Sequence, residues 1–264
     1  MRNFEFHRPQ SVADAVTLLQ GNDATKLLAG GQSLLPVMKL DLAQPSDLVS
    51  LARIPDLKEI RSEGNDLVIG ALVTHDEVAS SPEVRKRIPG LAALAGGIGD
   101  AQIRNRGTIG GSIAHADPAA DYPAAVLALG ATIVTDRRSI AADDYFTGLF
   151  STALAPDEII TAVRFPVPER SAYAKFPHPA SKYAVVGVMV AKTAGGVRVA
   201  VTGAGPKVFR LSALEKSLTE SFASRAAAAV EVAPGDLRTG GEASPEYLAH
   251  LVKVMAKRAI EACS

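Results

Sequence analysis

The apolar positions of the first part of the chain predict a small unit in which strands and helices alternate. Helical spacing begins after Ser11, a residue type that caps helix N-termini, and Gly21 ends it. The short apolar runs Lys26–Ala29 and Asp47–Leu51 are typical of buried strands, and Leu34–Leu40 between them predicts a short helix. This order of elements predicts an α/β subdomain.

The next part of the chain predicts a hairpin, two helices and a loop. Leu57–Arg61 and Leu67–Ala71 flank a Glu-Gly-Asn-Asp turn, which predicts a β-hairpin. Thr74 and Ile88 begin helical patterns. Asp100–Pro123 is rich in Gly, Asn and Asp with little periodicity, and predicts a long ordered loop. Such loops are usually functional when they lie inside a compact domain.

The rest of the chain completes an α+β pattern in two parts. A helix at Ala124–Leu129 and strands at Thr132–Thr135 and Ile159–Phe165 precede a proline-dense passage, where we expect a domain boundary. Beyond it, two paired strands are predicted at Tyr183–Lys192 and Val197–Gly203, and helices at Leu211–Leu218, Phe222–Val232 and Tyr247–Ala262.

Composition excludes several classes of function. The 28 basic and 28 acidic side chains balance, so the basic excess that nucleic-acid binding demands is missing. Cys263 is the only cysteine, which excludes an intrachain disulfide framework and an iron–sulfur cluster held by this chain. No apolar run reaches the length of a membrane span, and the N-terminus has no apolar signal core. We therefore expect a cytoplasmic protein without stable membrane insertion.

The first unusual motif is the run Ala29-Gly30-Gly31-Gln32-Ser33. Paired glycines allow positive φ angles and close approach of the backbone to another group. Their amide groups can converge on an anion, to which Ser33 adds a hydroxyl. The alternative is a tight turn from strand to helix with no ligand.

A second glycine pair lies in the run Thr108-Ile109-Gly110-Gly111-Ser112, again followed by a hydroxyl residue. Asp121, further along, is placed to accept hydrogen bonds from a ribose hydroxyl or an adenine amine, or to cap the helix that begins near Tyr122. Two such runs in one domain indicate a long diphosphate ligand held from two sides. Neither the Rossmann glycine fingerprint nor the P-loop motif occurs.

The sequence gives little support for a metal site or for nucleophilic catalysis. The five histidines include no pair at the i, i+4 spacing of metal ligands. Ser112 follows two glycines rather than occupying the centre of a nucleophile elbow, and no nucleophile–base pair is evident. Arg104 and Arg106 flank the second run and fit a phosphate, a partner surface or solvent. By pattern alone, Lys175 is expected to be a surface lysine.

The two long motifs L-L-A-G-G-Q-S-L-L-P-V-M-K-L at Leu27–Leu40 and I-G-D-A-Q-I-R-N-R-G-T-I-G-G-S-I-A-H-A-D-P-A-A-D at Ile98–Asp121 carry a family resemblance. The chain resembles the FAD-binding medium subunits of molybdenum hydroxylases, the family of carbon monoxide dehydrogenase and xanthine dehydrogenase. The resemblance extends over essentially the whole chain and includes the motifs at Pro156–Ile160 and Lys175–Ala184.

The resemblance implies an α+β fold with two-subdomain FAD binding of the vanillyl-alcohol oxidase type. The FAD-binding domain is expected at residues 1–176, with subdomains at about 1–55 and 56–176. A C-terminal α+β domain at residues 177–264 is expected to contain a three-stranded antiparallel sheet plus helices.

The resemblance also implies which residues contact non-covalently bound FAD. The first motif aligns with the family loop around the pyrophosphate, and the second motif with the other FAD loop. Asp121 matches an acidic residue near the adenosine, and Lys175 a lysine of the flavin pocket, where a cation stabilises negative charge on the reduced ring. The full set is Leu27, Leu28, Ala29, Gly30, Gly31, Gln32, Ser33, Leu34, Ile98, Thr108, Ile109, Gly110, Gly111, Ser112, Asp121, Ile160 and Lys175. No catalytic or metal-ligating residue is implied.

In function, the resemblance implies an electron-transfer subunit. It accepts electrons from [2Fe–2S] clusters in a small partner subunit and passes them from reduced FAD to an external acceptor. The substrate is expected to bind a large molybdopterin subunit, and the complex to be a dimer of heterotrimers. The alternative is a stand-alone flavin-dependent oxidoreductase with its own substrate site, for which the sequence offers no general base.

Overall fold

The computed structural model describes residues 1–239 and 243–263. Its first subdomain is a parallel three-stranded sheet in the order β1–β3–β2 with two helices. The elements are β1 (Glu5–His7), α1 (Val12–Gly21), β2 (Thr25–Leu28), α2 (Leu34–Lys39) and β3 (Asp47–Ser50). The predicted order of strands and helices is confirmed here.

Helix α1 illustrates why this subdomain folds as predicted. The Ser11 hydroxyl accepts a hydrogen bond from the Asp14 amide at 3.1 Å, which satisfies an amide that has no partner inside the helix. Ala15 and Leu19 then share one face and pack into a core with Val49. The helix ends at Gly21, as predicted.

The second subdomain is built on a five-stranded antiparallel sheet in the order β4–β5–β10–β6–β7. Short 3-10 helices at Leu51–Arg53 and Pro55–Leu57 connect it to the first subdomain. Its helices cover the sheet, and β8 and β9 form a separate hairpin. The elements are β4 (Ile60–Glu63), β5 (Asp66–Gly70), α3 (His75–Ser80), α4 (Pro82–Arg87), α5 (Pro89–Gly96), α6 (Ala101–Arg104), α7 (Ile109–His115), α8 (Tyr122–Ala128), β6 (Thr132–Thr135), β7 (Ser139–Ala141), α9 (Ala142–Tyr145), β8 (Phe146–Gly148), β9 (Ser151–Thr152) and β10 (Ile160–Pro166).

The predicted loop at Asp100–Pro123 is wrong, because that segment contains α6, α7 and the start of α8. Side chains make these short helices possible. The Asp100 carboxylate accepts from the Ile103 amide at 2.8 Å, and the Thr108 hydroxyl accepts from the Gly111 amide at 3.2 Å. Helices of four and seven residues are too short to produce a visible hydrophobic period.

The third part of the chain is an antiparallel sheet in the order β11–β12–β13–β14, covered by helices. It has four strands rather than the expected three, since two residues form an additional edge strand. Its first strand contains residue 176, the predicted end of the FAD-binding domain. The elements are β11 (Arg170–Pro177), β12 (Ala184–Thr193), β13 (Gly196–Thr202), β14 (Phe209–Arg210), α10 (Ser212–Glu220), α11 (Arg225–Ala229), a 3-10 helix at Pro234–Asp236 and α12 (Pro245–Ala262).

Both faces of this third sheet are buried, and this joins it to the second subdomain. Val188 and Val190 on one face of β12 pack in a core with Val252 of α12. Met189 and Ala191, which alternate with them, lie in the core of the second subdomain. The sheet therefore packs as the middle layer between two cores. In the described part of the chain, no helix combines the length and hydropathy needed to cross a bilayer.

Candidate functional site

A cavity of about 590 Å³ lies where the three parts of the chain meet. Its size is in the range of cofactor pockets, about 300–1,000 Å³. The wall combines the segment between β2 and α2, helix α7 with its approach, and the turn between β11 and β12. The predicted residues that line it are Leu27, Leu28, Ala29, Gly30, Gly31, Gln32, Ser33, Leu34, Ile98, Thr108, Gly110, Gly111, Ser112, Asp121 and Ile160.

Two predicted residues lie elsewhere. Ile109 is fully buried in the core of the second subdomain, because the first turn of α7 directs it inward. Lys175, on β11, is not part of the lining, and its ammonium group instead forms an ion pair with Asp121. The expectation of a surface lysine is wrong, since the Lys175 side chain is only 10% exposed.

The first glycine run turns the chain from β2 into α2. Gly31 has a φ of +75°, a conformation that glycine adopts without strain. Within the described residues, the amides of Gly31, Gln32 and Ser33 donate no hydrogen bond to the protein. Unpaired amides on a cavity wall are available to an anionic ligand. The run is thus both a strand-to-helix turn and a cradle of free donors.

In the second glycine run, the backbone amides are not free to bind a ligand as predicted, because they donate hydrogen bonds to the protein. The Ile109 amide donates to Val73 O at 3.1 Å, the Gly110 amide to Ala71 O at 2.9 Å, and the Gly111 amide to the Thr108 hydroxyl. These amides therefore fix α7 to the segment after β5 instead of facing the cavity. The run contributes the Thr108 O–H, still free to donate, and the Ser112 hydroxyl.

The two runs touch each other through Gly30. A Cβ at Gly30 would overlap the Arg106 carbonyl oxygen and lie 2.9 Å from the Gly107 Cα. On the second run, a Cβ at Gly111 would lie 3.6 Å from the Ala29 Cβ. Close approach of two backbones is possible only without side chains at the contact. The glycines therefore bring the two runs side by side on the wall of a single cavity.

Asp121 occupies the N-cap position of α8, but its side chain makes no capping hydrogen bond. Its carboxylate accepts a short hydrogen bond from the Tyr173 hydroxyl and another from Lys175 Nζ at 3.1 Å. Burial raises the pKa of Asp121, while the adjacent Lys175 opposes that rise. The Asp121 side chain therefore does not cap α8, and instead forms a buried ion pair with Lys175 at the cavity.

The lining also includes residues that were not predicted from the sequence, among them Lys182, Tyr183, Glu158 and His75. Lys182 and Tyr183 lie at the turn between β11 and β12, and residue Tyr183 is 43% exposed. Glu158 is held by the Arg138 guanidinium at 2.8 Å, which lowers the pKa of that carboxyl to about 2. His75 is the first residue of α3. The capping residue Thr74 predicted this helix, but the sequence did not predict that the His75 side chain faces the cavity.

His75 is a buried imidazole with an unpaired atom. Burial, together with the nearby positive charge of Arg104, lowers the pKa of His75 to about 4. Its Nδ1 has no partner among the described residues, and its ring packs against Tyr122 at 5.3 Å between centroids. A Cβ at Gly107 would lie 2.5 Å from His75 Nε2, so Gly107 allows the backbone to pass the ring. His75 is therefore a neutral lining group at neutral pH.

These features match a long, partly anionic cofactor. Free amides and hydroxyls from two glycine runs line one cavity, together with a carboxylate and apolar side chains. The model of the family described as the FAD binding domain in molybdopterin dehydrogenase matches residues 2–168. The chain belongs to this family.

Individual relatives agree with this assignment over nearly full length. The carbon monoxide dehydrogenase medium chain of Hydrogenophaga pseudoflava is 40% identical, over 98% of this chain and 96% of its own. The nicotine 6-hydroxylase medium subunit of Paenarthrobacter nicotinovorans is 41% identical, over 96% and 94%. The structure of reconstituted CO dehydrogenase from Oligotropha carboxidovorans superposes with a TM-score of 0.93 at 35% identity, covering 99% of this chain and 98% of that one. The predicted family, its FAD cofactor and the α+β fold are confirmed.

Proposed function

We propose that this chain is the FAD-binding electron-transfer subunit of a molybdenum hydroxylase. The observation that carries the proposal is the single cavity that both glycine runs line in a member of the FAD-binding family. Bound FAD supplies a redox centre that takes up two electrons and can release them one at a time. The residues of this chain bind FAD, orient it and exclude water around it.

The diphosphate is held by the first glycine run. The free amides of Gly31, Gln32 and Ser33 would donate hydrogen bonds to the phosphate oxygens, which would leave none of these donors unpaired. From the adjoining second run, Thr108 and Ser112 would donate their hydroxyls. Gly30 and Gly110 support this contact indirectly, because a Cβ at either position would overlap neighbouring backbone or the Ala71 side chain, so these glycines let the two runs pack closely at the cavity wall.

The ends of the cofactor are held by different chemistry. Asp121 would accept a hydrogen bond from a hydroxyl or amine of the adenosine half, because its buried carboxylate lines the cavity. Ile98 and Ile160 offer apolar contacts to a ring system. Tyr183 offers an exposed aromatic face, and aromatic rings stack favourably, at about 0.5–1.5 kcal/mol.

Partner subunits supply the remaining redox centres. Cys263 is the only cysteine and is buried at the end of α12, so the [2Fe–2S] clusters belong to an iron–sulfur small subunit. The substrate is oxidised at a molybdopterin large subunit. Medium-chain names among the relatives support this division. We further propose a vanillyl-alcohol oxidase type of FAD fold, FAD-binding and C-terminal domains divided near residue 176, a dimer of heterotrimers and a cytoplasmic location.

Copurification tests this proposal. The chain is expressed alone and together with the chains encoded beside it, and FAD, iron and molybdenum are measured in each preparation. We expect FAD that acid precipitation releases from the isolated chain, and iron and molybdenum only in the complex. Full turnover of a defined substrate by the isolated chain would contradict the proposal in favour of a stand-alone flavin oxidoreductase.

A further inference from the structure

The Asp121 carboxylate is shared between the protein and the cavity. Its Oδ1 accepts from Tyr173 and its Oδ2 from Lys175, yet Asp121 belongs to the cavity lining. Each carboxylate oxygen can accept a second hydrogen bond. The two β11 side chains therefore orient the carboxylate and leave acceptor capacity for a donor in the cavity.

The Lys175 ammonium has no donor left for a ligand. An ammonium has three N–H groups. Nζ of Lys175 lies 2.7 Å from Gly97 O, 3.1 Å from Lys182 O and 3.1 Å from Asp121 Oδ2. With its donors used and its side chain 10% exposed, Lys175 acts on protein groups alone.

One of these bonds reaches the turn that carries Tyr183. Lys182 has a φ of +63°, a left-handed conformation that a residue with a Cβ keeps only when its surroundings enforce it. Lys175 holds the Lys182 carbonyl in this turn. Lys175 thus fixes two separate parts of the cavity wall, Asp121 and the Lys182–Tyr183 turn.

Tyr173 is held in place by the neighbouring strand. A Cβ at Gly187 of β12 would overlap the Tyr173 hydroxyl oxygen and lie 2.8 Å from the ring carbon Cζ. The tyrosine therefore lies over a position where only glycine fits. Burial raises the pKa of Tyr173 well above its ordinary value, so the phenol keeps its proton and remains a donor to Asp121.

We propose that Tyr173 and Lys175 are positioning residues that act on FAD through Asp121 and through the Lys182–Tyr183 turn, without contacting the flavin. The proposal rests on the proposed function, namely that this cavity holds FAD. It assigns Lys175 a role different from that of the flavin-pocket lysine that the family resemblance implies. The third sheet thereby contributes to the cofactor site through residues that contact the lining but not the cofactor.

A double-mutant cycle distinguishes the two roles of Lys175. FAD is titrated into the FAD-free chain and into Lys175→Met, Asp121→Asn and the double variant, with flavin fluorescence as the readout. Each single substitution is expected to raise the Kd about tenfold or more. If Lys175 acts through Asp121, the double variant weakens binding by less than the product of the two single effects. A full product would overturn the proposal.

The flavin reduction potential gives a second readout. Lys175→Met is expected to leave the potential of the bound flavin unchanged, because the lost cation is paired with Asp121 and does not touch the ring. A lowered potential would identify a direct flavin contact and overturn the proposal. Lys192→Met, which removes an exposed lysine paired with Glu169 on the same sheet, is the matched control and should change neither quantity.

Folding is checked by thermal unfolding of each FAD-free variant. If Lys175→Met does not fold, Tyr173→Phe removes one hydroxyl and is expected to weaken FAD binding by itself, with Phe176→Leu on the same strand as its control. Variants that bind FAD like the parent chain would refute the positioning role. A parent chain that binds no FAD would instead refute the proposed function.

Discussion

The carbonyl oxygen of Arg106 occupies the place where residue 30 would carry its Cβ if it were not glycine. This contact joins the first subdomain to the second at the point where their two glycine runs face the cavity. A side chain at Gly30 would force the runs apart, and the distance between them determines whether one ligand can reach both.

Gly30→Ala is therefore expected to impair FAD binding. Overpacking of this kind costs about 1–3 kcal/mol, which the chain can relieve by separating the two runs. We expect a marked rise in the FAD dissociation constant, measured by fluorescence titration, and a lower melting temperature. Gly21→Ala is the control, because a Cβ there meets no atom within 4 Å. Equal FAD affinity in both variants would contradict the packing argument.

Tyr183→Ala is expected to weaken FAD binding, because it removes the exposed aromatic face at the cavity, whereas Tyr183→Phe should retain most of the affinity. A lost stacking contact is worth about 0.5–1.5 kcal/mol, which corresponds to a Kd increase of roughly two- to tenfold. Tyr247 on α12 is the matched control, since it is 46% exposed and does not line the cavity. If Tyr183→Ala and Tyr247→Ala bind FAD equally well, Tyr183 does not contact the cofactor.

His75 should make the chain sensitive to mild acid. Its folded-state pKa of about 4 is below the ordinary value of 6.5. As the pH falls from 6.5 towards 4, His75 is protonated in the unfolded chain but stays neutral in the folded chain. Protonation therefore favours the unfolded chain, and the free energy of unfolding decreases. The loss is at most about 3 kcal/mol near pH 4. Urea unfolding of His75→Gln should show a flatter pH dependence, and the exposed His250→Gln should behave like the parent chain.

Glu158 acts at lower pH. Arg138 holds the Glu158 pKa at about 2, below the ordinary 4.5, so its stabilising contribution is complete above pH 4.5 and disappears as the pH falls towards 2. Glu158→Gln is expected to cost about 2 kcal/mol of unfolding free energy at pH 7 and roughly half of that or less at pH 3. Denaturant unfolding at both values measures this. Glu169→Gln, at an exposed ion pair, should have little effect at either pH.

Structural features that depend only on neighbouring residues in the sequence could be predicted. Ser11 and Thr74 begin helices as expected, and the turn before Asp66 forms the expected hairpin, because caps and tight turns depend on neighbouring residues. The two glycine runs identified most of the cavity wall for a similar reason. Their unusual composition is visible without any tertiary contact.

Relations between distant residues could not be predicted. The amides of Ile109 and Gly110 bond to the segment after β5, which no local pattern reveals. Lys175 has the flanking residues of a surface strand, yet it is buried by Asp121 and by the Lys182 turn, 54 and 7 residues away in sequence. Tyr183 lies in a motif of the family resemblance but was not identified as a lining residue, because a tyrosine after a proline-rich passage has no characteristic spacing.

The central claim is that this chain binds FAD non-covalently in the cavity that both glycine runs line. The most direct measurement is a titration of FAD into the purified FAD-free chain and into Gly30→Ala, followed by flavin fluorescence. The account predicts saturable, equimolar binding to the parent chain, with the FAD released by acid, and much weaker binding to the variant. No saturable binding to the parent chain, or identical binding to both, would contradict it.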